Sequence, residues 1–288
     1  MKITEKLSHS SASELRGCEY RWWLRKVKKT RADLDYRESD GLSVGKAVHH
    51  IQERSRHEPA ALAPLLKECA VSSDIRLSKY NFGLVAVMCQ VYWAYQAQCG
   101  LEVIGVEYEI DNERVSGFLD LISLDPDTGL WFIEDLKCFK SFSPNTVVGL
   151  PKDPQLNLYA GFKNEVAKEY GLDPEKFGGA GYRVVTKTTS KVRESETITQ
   201  FIARTRKLIK VYRVIVPASE LAVEATGKNH SVVQLRAERI LEGDTPSKNY
   251  GYCMNYFSPC QFWSKCHGKT YTDSLEDAKL RIDLFEGR

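Results

Sequence analysis

The alternation of apolar and polar positions is clearest in the middle of the chain, where it predicts a β-hairpin. One strand is predicted over residues 114–124 and the next over residues 130–138, since both are rich in β-branched and aromatic side chains. The segment between them contains Pro126, Asp127 and Gly129, which supply the backbone angles that a reversal requires. The rest of the chain is organised around this predicted hairpin.

Three charged side chains stand at the end of the predicted hairpin. Successive side chains of a strand point to opposite faces, so Asp135 and Lys137 share one face. Asp120, on the preceding strand, is placed to converge with them. Two carboxylates and an ammonium group at a sheet edge suit a divalent-metal site that activates water, with Lys137 stabilising the developing negative charge. A surface ion pair at a strand end is the alternative that this short pattern leaves open.

Outside the hairpin the pattern is mainly helical. Apolar positions that recur every three to four residues predict helices, and two further apolar runs predict strands. The first helix is expected to begin at a capping box formed by Ser11 and Glu14. The predicted helices cover residues 11–27, 42–56, 58–69, 80–99, 153–170, 195–214 and 230–241, and the further strands cover residues 101–110 and 178–188.

Two of the predicted helices carry polar side chains of chemical interest. Gly45 and His49 lie one turn apart, and the small Gly45 allows close approach of a neighbour. His49 or the adjacent His50 could be a metal ligand or an ordinary structural histidine. Gln155 and Tyr159 also lie one turn apart, positioned to hydrogen-bond a phosphate or a base, or to form a half-buried polar pair.

The first predicted helix combines basic and aromatic residues, which are Arg16, Arg21, Trp22, Trp23, Arg25, Lys26, Lys28, Lys29 and, just beyond it, Arg31. A surface of this composition can grip a nucleic-acid backbone and stack on bases. A solvated basic face with tryptophans in the core is the alternative.

The cysteines fall into two groups. Cys69, Cys89 and Cys99 lie in apolar helical patterns, so we interpret them as small buried hydrophobes. A second group lies within 14 residues near the C-terminus and consists of Cys253, Cys260 and Cys266. In a protein without an export signal, such clustering favours metal or iron–sulfur ligation over disulfides.

Three thiolates leave a tetrahedral site one ligand short. Cys18 is the natural candidate for the fourth ligand, and His267 is a weaker one. Zinc would need the same thiolates as an iron–sulfur cluster, and structural cysteines without any metal remain a third interpretation.

Composition adds few constraints. The chain has 288 residues, of which 42% are hydrophobic and 27% are charged, as in an ordinary globular protein. Its formal net charge of +3 is too small to indicate a nucleic-acid partner by itself. The sequence contains neither an apolar run of about 18 residues nor an apolar N-terminal leader, so we expect a cytoplasmic protein with no membrane partner.

Four short motifs follow one another along the chain: GKAVH at 45–49, GFLD at 117–120, IEDLK at 133–137 and QLNLY at 155–159. Their order and spacing resemble the RecB-like branch of the PD-(D/E)XK nucleases. That branch includes the nuclease domains of bacterial recombination helicase–nucleases, the CRISPR-associated RecB-like exonucleases and many phage exonucleases. The Ser-rich start that leads to Cys18 and the cysteine-rich tail are similar to the iron–sulfur members of the family.

The resemblance implies an α/β fold with a PD-(D/E)XK (restriction-endonuclease-like) core. In such a core a central mixed β-sheet is flanked by helices, here with helical insertions and a cysteine-rich C-terminal segment. It further implies a single nuclease domain over residues 1–288. Its parts would be an N-terminal helix with the first cysteine (1–41), a helical part with GKAVH (42–100), the catalytic sheet with the Q-x-x-x-Y helix (101–190), a helical part (191–249) and the cysteine tail (250–288).

The resemblance also implies roles for individual residues. Mg²⁺ or Mn²⁺ would be bound by His49, Asp120 and Asp135, with the backbone carbonyl of Leu136 as an extra ligand. Two further candidate positions are Glu107, on the strand before the hairpin, and Gly45. Lys137 would be the catalytic lysine, and Gln155 and Tyr159 would contact DNA. A [4Fe–4S] cluster would be held by Cys18, Cys253, Cys260 and Cys266.

Two departures from the family pattern are visible in the sequence. Many members place two of the tail cysteines as C-x-x-C, whereas six residues separate Cys253 from Cys260 here and Phe257 occupies the closer position. The chain also lacks a G-x-x-x-x-G-K-[ST] motif, so we expect no fused helicase motor of the P-loop kind.

Together these features predict a metal-dependent DNA exonuclease that hydrolyses phosphodiester bonds in recombination, repair or phage DNA processing. Its substrate would be single-stranded DNA or duplex ends, and its protein partners would be recombination or CRISPR-adaptation proteins. The alternatives are a catalytically inactive nuclease-fold protein that acts as a DNA-binding accessory or inhibitor, a zinc-stabilised nucleic-acid-binding module, and a ribonuclease.

Overall fold

The structure is a computed structural model that describes residues 6–33, 40–72, 75, 77–112, 115–188, 190, 192–255 and 258–276. The chain divides into two compact units. The terminal unit consists of residues 1–38, 113–115 and 229–288, and the sheet unit consists of residues 39–112 and 116–228. The predicted division into one nuclease domain with five parts stays a prediction.

A mixed five-stranded sheet is the centre of the sheet unit. Its strands lie side by side in chain order. They are β1 (Glu102–Asp111), β2 (Ser116–Leu124), β3 (Trp131–Phe139), β4 (Phe177–Thr186) and β5 (Val211–Val216). Neighbouring strands are antiparallel except for β3 and β4, which are parallel. The predicted fold class, a mixed sheet flanked by helices, is confirmed.

The predicted hairpin forms as β2 and β3, with Leu121 opposite Glu134 and Leu124 opposite Trp131. Its turn is closed by a hydrogen bond from Asp125 N to Leu130 O at 2.8 Å. Gly129 adopts φ +70°, a backbone conformation that favours glycine.

Helices occupy most of the remaining described chain. They are α1 (His9–Gly17), α2 (Glu19–Lys26), α3 (Asp40–Arg54), α4 (Leu62–Val71), α5 (Lys79–Gln96), α6 (Pro144–Gly149), α7 (Pro154–Ala160), α8 (Lys163–Tyr170), α9 (Ile198–Arg206), α10 (Glu220–Glu242) and α11 (Trp263–His267). Short 3-10 turns lie at Leu150–Lys152, Pro174–Lys176 and Tyr250–Tyr252, and two-residue strands pair as β6 (Met254–Asn255) and β7 (Ser258–Pro259).

The core of the sheet unit lies between the sheet and helices α3, α5 and α9. Val48 and Ile51 of α3, Met88 of α5 and Leu136 of β3 are buried in one apolar cluster. This packing fixes α3 against β3, which determines where the side chains of α3 meet the sheet.

The terminal unit has a core of its own. Leu7, Leu15 and Trp22 are buried with Ala237 and Ile240 of α10. The indole nitrogen of Trp22 donates to the hydroxyl of Ser11 at 2.9 Å, so its polar atom is satisfied inside the core.

Several sequence predictions in the helical regions need correction. The predicted helix 195–214 ends at Arg206, and its last part forms β5 instead. The cause is the run VYRVIV at residues 211–216, whose β-branched side chains favour the strand that completes the sheet beside β4.

The predicted helices 11–27 and 153–170 are each split. Cys18 is extended, with φ −160° and ψ 108°, and separates α1 from α2. The cap of α1 is Ser8, whose hydroxyl accepts from Ser11 N, rather than Ser11 itself. A further correction concerns Cys99, which the apolar pattern predicts to be buried but which is only half-buried.

Among the described residues, none of the helices has the length and apolar character needed to cross a membrane.

Candidate active site

His49 connects helix α3 to the end of the central hairpin. Its Nε2 lies 2.6 Å from the backbone carbonyl oxygen of Leu136 and 3.2 Å from Asp120 Oδ2. The backbone N–H of Leu136 donates to the same Asp120 oxygen at 2.8 Å. The structure therefore brings together three groups that the sequence placed in a metal site: the imidazole, the Asp120 carboxylate and the Leu136 carbonyl.

Glu107 joins this group from strand β1. Val106 pairs with Leu121 and Tyr108 pairs with Leu119, so Glu107 lies opposite Asp120. Its φ of +49° is rare for a residue with a side chain and typically costs about 1–3 kcal/mol. Strain of this kind persists where the surrounding structure enforces it, and it is concentrated at functional sites.

The donor atoms of His49, Glu107 and Asp120 all lie within 4.8 Å of one another. An imidazole nitrogen and carboxylate oxygens are donors that Mg²⁺ and Mn²⁺ accept. Burial, followed by the charge of Asp120, raises the pKa of Glu107 to about 7. Glu107 is therefore not balanced by positive charge, and the donor set fits a hard divalent cation.

Asp135 and Lys137 form the second half of the site. Lys137 Nζ lies 2.6 Å from Asp135 Oδ2, in the ion pair that the strand alternation predicts. The Asp135 carboxylate is 3% exposed, so this is not the surface ion pair that the sequence left open as an alternative. Burial and the negative charge of Asp120 raise the pKa of Asp135, although Lys137 opposes the shift.

Helix α7 covers Asp135 with the predicted Q-x-x-x-Y pair. Its N-terminus is capped by Asp153, whose Oδ1 accepts from the backbone N–H of Gln155 at 2.8 Å. The Gln155 side chain donates from Nε2 to Asp135 Oδ1 at 2.6 Å and to the Tyr159 hydroxyl at 2.9 Å. Gln155 thus contacts the Asp135 carboxylate, and Tyr159 contacts Gln155.

Contacts on helix α3 answer two questions that the sequence left open, which histidine faces the site and what Gly45 does. His50 Nε2 lies 3.2 Å from Glu68 Oε2, so His49 rather than His50 faces the site. A methyl group at Gly45 would lie 3.7 Å from Cys138 Cβ, which is ordinary contact. The expectation that α3 approaches the sheet closely is met, but the approach does not require a glycine.

Sequence reasoning missed Tyr182, which lies on β4 directly opposite Asp135. Lys137 Nζ lies 5.4 Å from the centre of the Tyr182 ring, within range of a cation–π contact. The parallel register of β3 and β4 creates this contact, and only the apolar alternation of residues 178–188 hinted at it.

The predicted cysteine group lies in the terminal unit. Cys260 N donates to Cys253 O at 2.8 Å. Burial raises the pKa of the Cys253 and Cys260 thiols, and that of the Cys266 thiol to about 11. Cys18 adds to the effect in each of the three cases.

His267, the weaker ligand candidate, is engaged differently. Its ring stacks on Trp263 with centroids 4.0 Å apart, and it also meets Tyr250 at 5.7 Å.

Comparisons with known proteins place this geometry in a family. Residues 6–267 match the model of the PD-(D/E)XK nuclease superfamily. A crystal structure from Eubacterium rectale with the provisional description of an exonuclease is 14% identical, with 85% of each chain covered and a TM-score of 0.46. The crystal structure of SSO0001 is also 14% identical, with 82% of this chain and 91% of that chain covered and a TM-score of 0.30.

At these TM-scores neither structural likeness carries an argument, and the curated proteins include no match to the chain. The family model spans all four motifs and nearly the whole chain, and on that basis the chain belongs to the PD-(D/E)XK nuclease superfamily.

Proposed function

We propose that this protein is a Mg²⁺- or Mn²⁺-dependent deoxyribonuclease that hydrolyses phosphodiester bonds, acting as an exonuclease. The observation that carries the proposal is the convergence of His49, Glu107 and Asp120 beside the buried Asp135–Lys137 pair. A structural ion pair alone would not require two further carboxylates and an imidazole at the same place.

The cation would be held by His49, Asp120 and Glu107, with Asp135 and the Leu136 carbonyl adjoining. When bound, it supplies charge neutralisation on the scissile phosphate and makes the attacking water more acidic. In the arrangement described here the Leu136 carbonyl accepts a hydrogen bond from His49 Nε2. To serve as a ligand, that nitrogen has to be free of its hydrogen, so the ring would bind the cation as the tautomer that carries its hydrogen on Nδ1.

Lys137 is assigned to the reacting phosphate. The Lys137 side chain is 29% exposed, whereas that of its partner Asp135 is nearly fully buried, so Lys137 is the member of the pair that a phosphate can approach. There it would orient the attacking water or stabilise charge on the transferring phosphoryl group.

Gln155 and Tyr159 are assigned a positioning role at Asp135. Gln155 donates to Asp135 Oδ1, and this hydrogen bond fixes the orientation of the carboxylate relative to Asp120. Direct contact of either side chain with DNA, as the family resemblance implies, remains part of the proposal.

For the terminal unit we propose a [4Fe–4S] cluster held by Cys18, Cys253, Cys260 and Cys266. The support is the short contact between Cys260 N and Cys253 O and the position of Cys18, at the break between α1 and α2, where it adds to the raised pKa of the Cys253, Cys260 and Cys266 thiols. Zinc would use the same four thiolates, and metal analysis for iron against zinc separates the two.

The biological role that we propose is DNA processing in recombination, repair or phage replication, with recombination or CRISPR-adaptation proteins as partners. An inactive accessory or inhibitor protein of the same fold is the alternative. The complete set of Asp120, Asp135 and Lys137 favours an active enzyme, because a degenerate site usually loses one of the three.

The test is cleavage of end-labelled DNA by anaerobically purified protein in Mg²⁺, Mn²⁺ or EDTA. Wild type should degrade DNA only with metal, and Asp120→Ala should not. Asp127→Ala is the matched control, since it removes an exposed carboxylate from the hairpin turn. If wild type binds DNA but cleaves none in either metal, the accessory role replaces the enzyme.

A further inference from the structure

A row of three aromatic rings lies immediately beyond the candidate active site. The ring centroids of Phe139 and Phe142 are 6.2 Å apart with planes inclined by 13°. Those of Phe142 and Tyr212 are 5.3 Å apart with planes inclined by 37°. Each of the three side chains is only half-buried, so the rings of this aromatic row remain accessible.

The aromatic row lies on the same face of the sheet as the Asp135–Lys137 pair. Phe139 follows Lys137 by two residues on β3, so their side chains point to one side with Cα atoms about 7 Å apart. Lys137 pairs with Val184, and Val184 pairs with Tyr212. Tyr212 therefore lies level with Lys137, about 10 Å away across the sheet. A DNA strand held at Lys137 can therefore continue directly onto the aromatic row.

The segments that supply or border the aromatic row carry positive charge only. Neither Asp nor Glu occurs in residues 139–152, 186–193 or 201–213. Lys140 follows Phe139 and is exposed, and Lys210 is exposed two residues before Tyr212. The carbonyl of Lys210 accepts from Thr186 N at 2.8 Å, which fixes this lysine next to β4.

We propose that the aromatic row stacks with the bases of single-stranded DNA and holds that strand beside the Asp135–Lys137 pair. Aromatic rings flanked by lysines provide the two attractions that a single strand uses, base stacking and phosphate neutralisation. In a duplex the base faces are covered by neighbouring base pairs, so the row selects unpaired nucleotides. The inference rests on the proposed function for its substrate class and adds that the DNA is single-stranded next to the reacting phosphate.

Binding without cleavage tests the proposal directly. Fluorescence anisotropy in EDTA would measure the affinity of the full-length protein for a short labelled oligothymidylate and for a blunt duplex of equal length. Phe142→Ala should weaken single-strand binding about 5- to 150-fold and leave duplex binding unchanged. Phe142→Leu should lose nearly as much, because it keeps an apolar side chain without an aromatic face, and Phe142→Tyr should bind like wild type.

Abasic oligonucleotides identify the stacked base. Replacing one nucleotide at a time by an abasic spacer should weaken wild-type binding at one or two positions. The same spacer should cost nothing further in Phe142→Ala, because the ring that it stacks on is already absent. The wild-type abasic series also keeps the proposal testable if the variants fail to fold, which the thermal unfolding midpoint would reveal.

The inference is overturned if Phe142→Ala binds single strands like wild type, if single strand and duplex lose affinity equally, or if no abasic position weakens wild-type binding. Metal-dependent cleavage is scored separately, with wild type and Asp120→Ala. Stacking without cleavage would remove the proposed enzyme and keep the DNA-binding surface. Metal-dependent cleavage without any effect of abasic positions on binding would keep the proposed enzyme and remove the base-stacking surface.

Discussion

Glu134 and Asp135 are consecutive carboxylates on β3, and the two faces of the sheet treat them in opposite ways. Arg183 donates to both oxygens of Glu134, at 2.8 and 3.0 Å, and Arg213 donates at 3.0 Å. Burial would raise the pKa of Glu134, but the two arginines outweigh it and lower the pKa to about 2.

Asp135 faces a lysine, an amide and a second carboxylate instead. Its pKa is raised by burial and by Asp120, so its charge is not fully balanced by the surrounding protein. A buried carboxylate balanced by arginines is part of the scaffold, whereas one opposed by another carboxylate is suited to an external cation. Adjacent residues of one strand can thus differ in function because their environments differ, not because their chemistry does.

Asp135→Asn should produce the largest effect of the proposed substitutions, and this effect should fall on cleavage activity and not on stability. The amide keeps the shape of the side chain but removes the charge that the proposed cation needs, so metal-dependent cleavage should fall about 10³-fold or more. The unfolding midpoint should stay equal or rise, because the repulsion with Asp120 disappears. Cleavage rates and thermal unfolding of the same preparation check both halves, and a marked loss of stability would place Asp135 in the scaffold with Glu134.

Glu134→Gln should have the converse effect, on stability. It leaves the fully buried Arg183 without its compensating charge, and breaking a buried pair in this way costs about 3–5 kcal/mol. Chemical denaturation would measure the free energy of unfolding, with Glu109→Gln on the exposed edge of β1 as control, expected to change it by less than about 0.5 kcal/mol. An effect of Glu134→Gln as small as that of the control would mean that Glu134 and Asp135 are not energetically distinct.

The scaffold network also makes a pH-dependent contribution through His57. Its Nδ1 lies 2.6 Å from the Tyr92 hydroxyl, which Arg183 contacts at 3.4 Å. Burial and then the Arg183 charge lower the pKa of His57 to about 3, so the ring is neutral in the folded protein.

In the unfolded chain His57 binds a proton near pH 6.5, whereas in the folded chain it stays neutral. Its contribution to the free energy of unfolding is therefore fully present above pH 6.5. It is lost progressively as pH falls towards 3, and the loss at pH 5 amounts to about 2 kcal/mol. His57→Gln should reduce the drop in unfolding free energy between pH 7 and pH 5 by that amount. An identical drop in wild type and variant would show that His57 does not titrate differently on folding.

The sequence predicted the face on which Asp135 and Lys137 meet, because the two-residue period of a strand determines it. It also predicted the convergence of Asp120 and His49, through the hairpin and the family motifs. The compensation of the Glu134 charge by two arginines could not be predicted. Arg183 and Arg213 lie on β4 and β5, and they meet Glu134 only through the sheet register. The run VYRVIV at residues 211–216 is β-branched, but the helical pattern before it leads to the prediction of a helix that continues to residue 214 instead of β5.

The placement of Glu107 shows a similar limit. The sequence marked it only as an acidic residue on a strand, whereas its approach to His49 and Asp120 accompanies a local backbone conformation with positive φ. Periodicity predicts which side of a regular strand a residue faces, but it does not predict where the backbone departs from regularity.

The smallest expected effects concern the support of Asp135 by α7. Gln155→Ala removes the hydrogen bond to Asp135 Oδ1, and loss of such a partner behind a metal ligand typically costs 10- to 100-fold in metal affinity or activity. Tyr159→Phe leaves that bond intact and removes only the hydroxyl that accepts from Gln155, so it should cost about 2- to 12-fold.

Titration of cleavage with Mn²⁺ separates the two roles that these residues could have. If they position Asp135, the variants should need more metal for half-maximal rate while the affinity for DNA in EDTA is unchanged. If they contact DNA, the affinity in EDTA should fall and the metal requirement should not. The first result would make α7 part of the difference between the two faces of the sheet, because Asp135 would then depend on a neutral amide for the orientation that Glu134 obtains from two arginines.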